Sequence, residues 1–103
     1  MKLREIIWSD LAVQDLFEIK KYIAKNSIKN AEIFFQEIFT STTDLLQFPE
    51  KGRIVPKLNK EFYREYFIGN YRVMYKIEEK LIIIAGIFHM SKNFDLDDLL
   101  KRK

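Results

Sequence analysis

The stretch Phe62-Tyr63-Arg64-Glu65-Tyr66-Phe67-Ile68-Gly69-Asn70-Tyr71-Arg72-Val73-Met74-Tyr75-Lys76-Ile77 decides the fold. It alternates on both sides of a Gly-Asn pair. Phe62, Arg64, Tyr66 and Ile68 fall on one face of the first half, with Tyr63, Glu65 and Phe67 on the other. In the second half Tyr71, Val73, Tyr75 and Ile77 share a face, and Arg72, Met74 and Lys76 lie opposite. A period of two in aromatic and β-branched residues predicts strands, and Gly69-Asn70 predicts a two-residue hairpin turn between them. Downstream, Glu78-Glu79-Lys80 marks the next turn. Leu81 to Phe88 is apolar on both faces, as in a central strand covered on each side. Upstream, Arg53-Ile54-Val55 is a short strand ended by Pro56.

Before Pro49-Glu50-Lys51-Gly52 the period is helical. Ala12, Leu16, Ile19 and Ile23 recur at spacings of four, three and four, after Ser9-Asp10 supplies cap chemistry. Asn26-Ser27 interrupts the stripe and offers a second cap. Ala31, Phe34, Phe35, Ile38, Thr42, Leu45 and Leu46 then form another stripe. The short break predicts an antiparallel helical hairpin, and Phe34, Phe35 and Phe39 are read as core. Glu5-Ile6-Ile7-Trp8 predicts a first strand, with Trp8 in the core, and Asp95 caps a last short helix, Leu96 to Lys101. The expected order is β-α-α-β-β-β-β-α: an α+β fold with a helical hairpin on a mostly antiparallel sheet, in one domain spanning 1–103.

Composition sets the bounds on function. The 103 residues are 48% hydrophobic, 15% aromatic and 32% charged, which predicts a folded, soluble domain rather than a disordered chain. The longest apolar run, Leu81 to Met90, is too short to span a bilayer, and Met1-Lys2-Leu3-Arg4-Glu5 has no signal-peptide character. Without Cys there is no thiolate chemistry, and one His argues against a His-based metal site or a Ser-His-Asp triad. No membrane, no metal, no cofactor and a cytoplasmic location are the expectations.

The net charge of +3 is uneven. Residues 1–50 carry six basic against eight acidic residues, residues 51–80 eight against four, and residues 81–103 four against three. A basic excess in 51–80 points to an acidic partner, either nucleic acid or an acidic peptide. Arg72 and Lys76 share a strand face. Arg64, across the Gly69-Asn70 turn, converges with Arg72 if register permits, and clustered guanidinium groups suit phosphate or carboxylate. Taken singly, each Arg reads instead as the partner of Glu65 or of helix carboxylates. Tyr63, Tyr66, Tyr71 and Tyr75, interleaved with the basic residues, suit base stacking or half-buried packing with a wet hydroxyl. His89, at the end of the apolar strand, is the side-chain type suited to proton transfer near neutrality, or a structural hydrogen-bonded residue. The Asp95-Leu96-Asp97-Asp98 cluster lacks the loop Gly and distal Glu of an EF-hand and is read as a helix cap.

Trp8-Ser9-Asp10-Leu11-Ala12, Asp15-Leu16-Phe17-Glu18-Ile19 and Tyr22-Ile23 resemble the first strand and helix of the RelE/ParE toxins. Leu46-Gln47-Phe48-Pro49-Glu50-Lys51-Gly52-Arg53, Tyr63-Arg64-Glu65, Gly69-Asn70-Tyr71-Arg72-Val73-Met74-Tyr75 and Ile87-Phe88-His89 continue the resemblance in order, from about Trp8 to Asn93. It implies the toxin of a bacterial type II toxin–antitoxin pair, neutralised in a hetero-oligomer by a ParD-like or RelB-like antitoxin. The RelE-like branch cuts mRNA in the ribosome, and the ParE-like branch poisons DNA gyrase. Arg72 matches a Tyr-Arg motif shared by both branches. No Tyr follows Tyr75, and Met90-Ser91-Lys92-Asn93 stands where RelE-like nucleases usually place Arg. Pro49-Glu50-Lys51-Gly52-Arg53 with Arg64-Glu65 looks more ParE-like. The expectation is therefore a gyrase-directed toxin using Arg53, Arg64, Tyr71, Arg72, Tyr75, Lys76 and Lys92 for its target or antitoxin. The nuclease alternative would use Arg64, Arg72 and His89, with Phe94 as the aromatic just beyond. An inactive interaction module is the third reading.

Overall fold

The computed structural model describes residues 4–91. The elements follow the order β1 (Glu5–Trp8), α1 (Asp10–Ala24), α2 (Ile28–Asp44), β2 (Arg53–Ile54), β3 (Tyr63–Ile68), β4 (Tyr71–Ile77) and β5 (Leu81–His89). The expected last helix, with Lys92, Phe94 and Asp95, lies outside the described residues. Ser9 caps α1 by accepting from the Ala12 amide at 3.0 Å, and Ser27 caps α2 through the Asn30 amide at 3.1 Å. Each such cap is worth about 1 kcal/mol. Phe17 meets Phe35 at 6.1 Å, each nine residues from Asn26, so α2 folds back along α1.

The five strands are ordered β1-β5-β4-β3-β2. The four strands from β2 to β5 pair antiparallel, while β1 pairs parallel with β5. β5 is thus flanked by a strand on each edge, although the middle position belongs to β4. Ile68 stands opposite Tyr71 across the Gly69-Asn70 turn. Gly69 has φ +56, which places positive φ at the first turn position and accounts for Gly there.

The helices cover one face of the sheet. Ala12, Leu16, Phe34, Ile38 and Leu45 pack there against Val73, Tyr75, Ile82, Ile84 and Ile87, with Ile6 and Trp8 at the margin. A smaller cluster of Val55, Tyr63, Met74, Ala85 and Phe88 lies on the other face, with Leu58 packed against it. Ile82, Ile84 and Ile87 face the same cluster although their spacing changes parity along β5, which requires a bulge. The β4–β5 register steps from Met74↔Gly86 to Tyr75↔Ile84, so Ala85 is the extra residue. Side chains satisfy the displaced backbone. Ser9 Oγ donates to the Ala85 carbonyl at 3.0 Å, and Asp15 Oδ2 accepts from the Ile87 amide at 3.1 Å.

Two packing expectations are corrected. Phe39 is 61% exposed and Leu46 is exposed, because Phe34, Ile38, Thr42 and Leu45 already fill the inward face of α2. Tyr75 has no wet hydroxyl. It is 0% exposed, and its Oη donates to the Pro49 carbonyl at 2.7 Å and accepts from the Gly52 amide at 3.0 Å.

Candidate interaction face

The register separates the predicted site residues. Arg64 pairs with Tyr75 and therefore points to the helix-covered side, while Arg72 pairs with Phe67 on the helix-free side. The anticipated convergence of Arg64 and Arg72 does not occur. Arg64 instead pins the segment around the Tyr75 hydroxyl. Its guanidinium donates to the Gly52 carbonyl and to the Glu61 carbonyl, each at 3.0 Å, and meets Glu50 at 3.4 Å. Gly52 sits so close beneath that an added Cβ would lie 2.7 Å from the Glu65 carbonyl oxygen and 2.8 Å from Tyr75 Oη. Arg64, Gly52 and Tyr75 thus form one structural joint between the Pro49–Gly52 turn and the sheet.

His89 stands opposite Tyr71, also on the helix-covered side. Tyr71 and Arg64's partner Tyr75 are four residues apart on β4, roughly 13 Å at strand rise, and β5 and β3 flank β4 on opposite edges. His89 is held locally: its Nδ1 accepts from the Ser91 amide at 3.1 Å and lies 2.7 Å from Ser91 Oγ. Arg64, Arg72 and His89 thus occupy three separate places.

What assembles on the helix-free face is a cation–aromatic strip around a buried carboxylate. Glu65 is 0% exposed. Arg53 Nε and Nη2 both lie 2.7 Å from its Oε2, and Arg72 Nη1 lies 3.6 Å from its Oε1. Two guanidinium groups share this one carboxylate. Arg72 also donates to the Met90 carbonyl at 2.7 Å, tying the end of β5 to β4. Phe67 is 42% exposed, with the Arg53 and Arg72 guanidinium carbons 5.4 and 6.0 Å from its ring centroid. Further along, Lys76 lies 5.7 Å from the Tyr63 ring and 5.8 Å from Phe62, and pairs with Glu78 at 3.0 Å. The sequence names Arg53, Arg72 and Lys76 as site residues and Glu65 as an arginine's partner, and the ion pairs to Glu65 are found; Phe67 as a member of the same patch is what it leaves out. The alternation of β3 against β4 was the available signal.

Three tyrosines on the covered side resist ionisation. Burial pushes Tyr66 up to about 12 against the pull of its 2.8 Å hydrogen bond with Ser41. Burial also raises Tyr71 and Tyr75. Among the described residues no cluster of three or more His, Cys, Asp or Glu suits a metal ion, and no helix is long and apolar enough to cross a membrane.

A helical hairpin laid on one face of a five-stranded sheet, with the other face carrying charge and exposed aromatics, defines a small α+β protein. The family model for the ParE toxin of the type II toxin–antitoxin system, parDE, matches residues 6–94, and the chain belongs to that family. Toxin RelE2 of Caulobacter vibrioides is 24% identical over 90 residues, covering 87% of this chain and 99% of that protein. A solved structure of the chromosomal ParDE TA system from P. aeruginosa superposes with a TM-score of 0.70 at 20% identity. It covers 86% of this chain and 98% of that one, which establishes the shared fold. The chain is accordingly a toxin of a type II toxin–antitoxin system, and membership implies a cognate antitoxin.

Proposed function

We propose that this toxin acts on DNA gyrase by binding rather than by chemistry of its own. The observation that carries this reading is the dispersal of Arg64, Arg72 and His89 over two faces and two ends of the sheet. Cleavage of RNA by 2′-hydroxyl attack needs a base, positive charge at the phosphorane and an acid for the leaving oxygen, all within about 3 Å of the reacting atoms. Arg64 is committed to the backbone around Gly52, and guanidinium groups stay protonated and shuttle protons poorly. A binding toxin needs instead a fixed, partly apolar surface with local charge, which Arg53, Phe67, Arg72 and Lys76 offer. The same strip suits an antitoxin segment with apolar anchors and acidic side chains, so that neutralisation and target binding compete.

The test is a gyrase supercoiling assay with purified toxin, alone and after premixing with its antitoxin. Inhibition that the antitoxin relieves, and that Arg53→Glu weakens at least tenfold, is the expected result. Full supercoiling at a large molar excess of toxin would overturn the gyrase assignment.

A further inference from the structure

The segment 19–31 carries Lys20, Lys21, Lys25 and Lys29 and no acidic residue, within a half of the chain whose net charge is negative. It forms the end of α1, the connection and the start of α2. Lys21, Lys25 and Lys29 are exposed there. This basic tip borders a cleft of about 610 Å³ lined by Tyr22, Ile23, Asn26, Asn30, Asn70, Tyr71 and His89. The volume falls in the range of small-ligand sites.

The lining is chemically distinctive. Phe34, Tyr71 and His89 form a row of edge-on rings, each 5.3 Å from the next, and Ser91 fixes the imidazole. That row forms one wall. Tyr22, 63% exposed, provides a second ring, and Lys25 Nζ lies 6.0 Å from its centroid. The Tyr22 phenol is near enough to Tyr71 to help raise its pKa, after the larger effect of burial. Asn26, Asn30 and Asn70 each carry a carboxamide that donates and accepts, and among the described residues these side-chain amides make no hydrogen bond. Rings and carboxamides together suit a planar group rich in donors and acceptors. The lysines beside them suit an anion attached to that group.

We infer that this hairpin-tip cleft binds a nucleoside phosphate, with the base among Tyr22, Tyr71, His89 and the three asparagines and the phosphate toward Lys25 and Lys29. Aromatic contact holds the base, and phosphate attraction adds a salt-dependent share. A free nucleotide and one unit of a single strand present the same chemistry to this cleft. The inference involves binding only and holds whichever enzyme the toxin targets.

Calorimetric titration of the full chain with AMP, GMP, CMP and UMP, with short single-stranded DNA and RNA, and with inorganic phosphate tests it. At least one mononucleotide should bind with a Kd at or below about 1 mM, and inorganic phosphate should bind at least tenfold more weakly. Tyr22→Ala and Lys25→Gln, both at exposed positions that spare the core, should each weaken nucleotide binding at least fivefold. Lys80→Gln, on the turn before β5, should leave it unchanged. Tighter binding of oligonucleotides than of mononucleotides assigns the site to a nucleic-acid strand, and equal binding assigns it to a free nucleotide. No binding by any nucleotide or oligonucleotide, inorganic phosphate binding equally well, or indifference to both Tyr22→Ala and Lys25→Gln would overturn the inference.

Discussion

On the helix-covered face, Arg64 reaches the Gly52 and Glu61 carbonyls beside a fully enclosed Tyr75, and its charge is spent on backbone. On the helix-free face, Arg53 and Arg72 share the buried Glu65, and the Arg53 side chain remains 58% exposed above Phe67. The same residue type thus closes a joint on one side and builds an outward surface on the other. The difference comes from what lies above each strand. Enclosed by the Glu50–Gly52 segment a guanidinium satisfies its donors within the protein, whereas on an uncovered sheet it can be held by one carboxylate and still meet a partner. A family likeness to toxins of either branch therefore does not make an arginine catalytic; its face decides what it can reach.

The largest effect that would break this comparison is expected at Glu65. Glu65→Ala removes the buried carboxylate that Arg53 and Arg72 share. The expected loss is about 3 kcal/mol of stability in urea denaturation, typical of removing one partner of a buried pair. A loss below about 1 kcal/mol would mean that the two guanidinium groups do not depend on Glu65.

A smaller effect is expected at Arg64. Arg64→Ala should cost about 1–2 kcal/mol through the two orphaned carbonyls, with little from the Glu50 pair, whose carboxylate is largely exposed. Antitoxin affinity of the folded variant should stay within about threefold, whereas Arg53→Glu should reduce it and change its salt dependence. Equal losses of affinity from the two substitutions would erase the division between faces.

The smallest effect near neutrality is expected from the tyrosines of the covered face. Tyr66, Tyr71 and Tyr75 have raised folded-state pKa values, so each favours its protonated form in the fold. Their contribution is complete below the unfolded value of about 10 and is lost as pH rises towards the folded value, about 12 for Tyr66. Lys51, lowered mainly by desolvation, acts in the opposite sense, one group against three. Stability should be flat between pH 7 and 9 as far as these groups contribute and fall above about pH 10. Tyr66→Phe should soften that fall, and an unchanged alkaline transition would contradict the assignment.

Much of this architecture was legible in the sequence. The alternation about Gly69-Asn70, the two helical stripes and the Ser9 and Ser27 caps each rest on local spacing, which is why strands, turn and hairpin emerged with nearly their observed bounds. Even the separation of Arg64 from Arg72 was implicit, because a two-residue turn sets Ile68 against Tyr71 and so Arg64 against Tyr75. The parallel pairing of β1 with β5 was not legible, since it joins residues about 76 positions apart through four pairs. Nor was the Ala85 bulge, which depends on Ser9 and Asp15 reaching β5 from α1. The hairpin-tip cleft draws on both helices and two strands, and no local pattern marks it.

The central claim, that the toxin binds its target and performs no chemistry on it, is tested most directly by primer extension on mRNA in a translating extract given the purified protein. The account predicts intact message at every codon, with and without ribosomes engaged. Codon-specific cuts that disappear with Arg72→Ala or His89→Ala in a folded variant would contradict it.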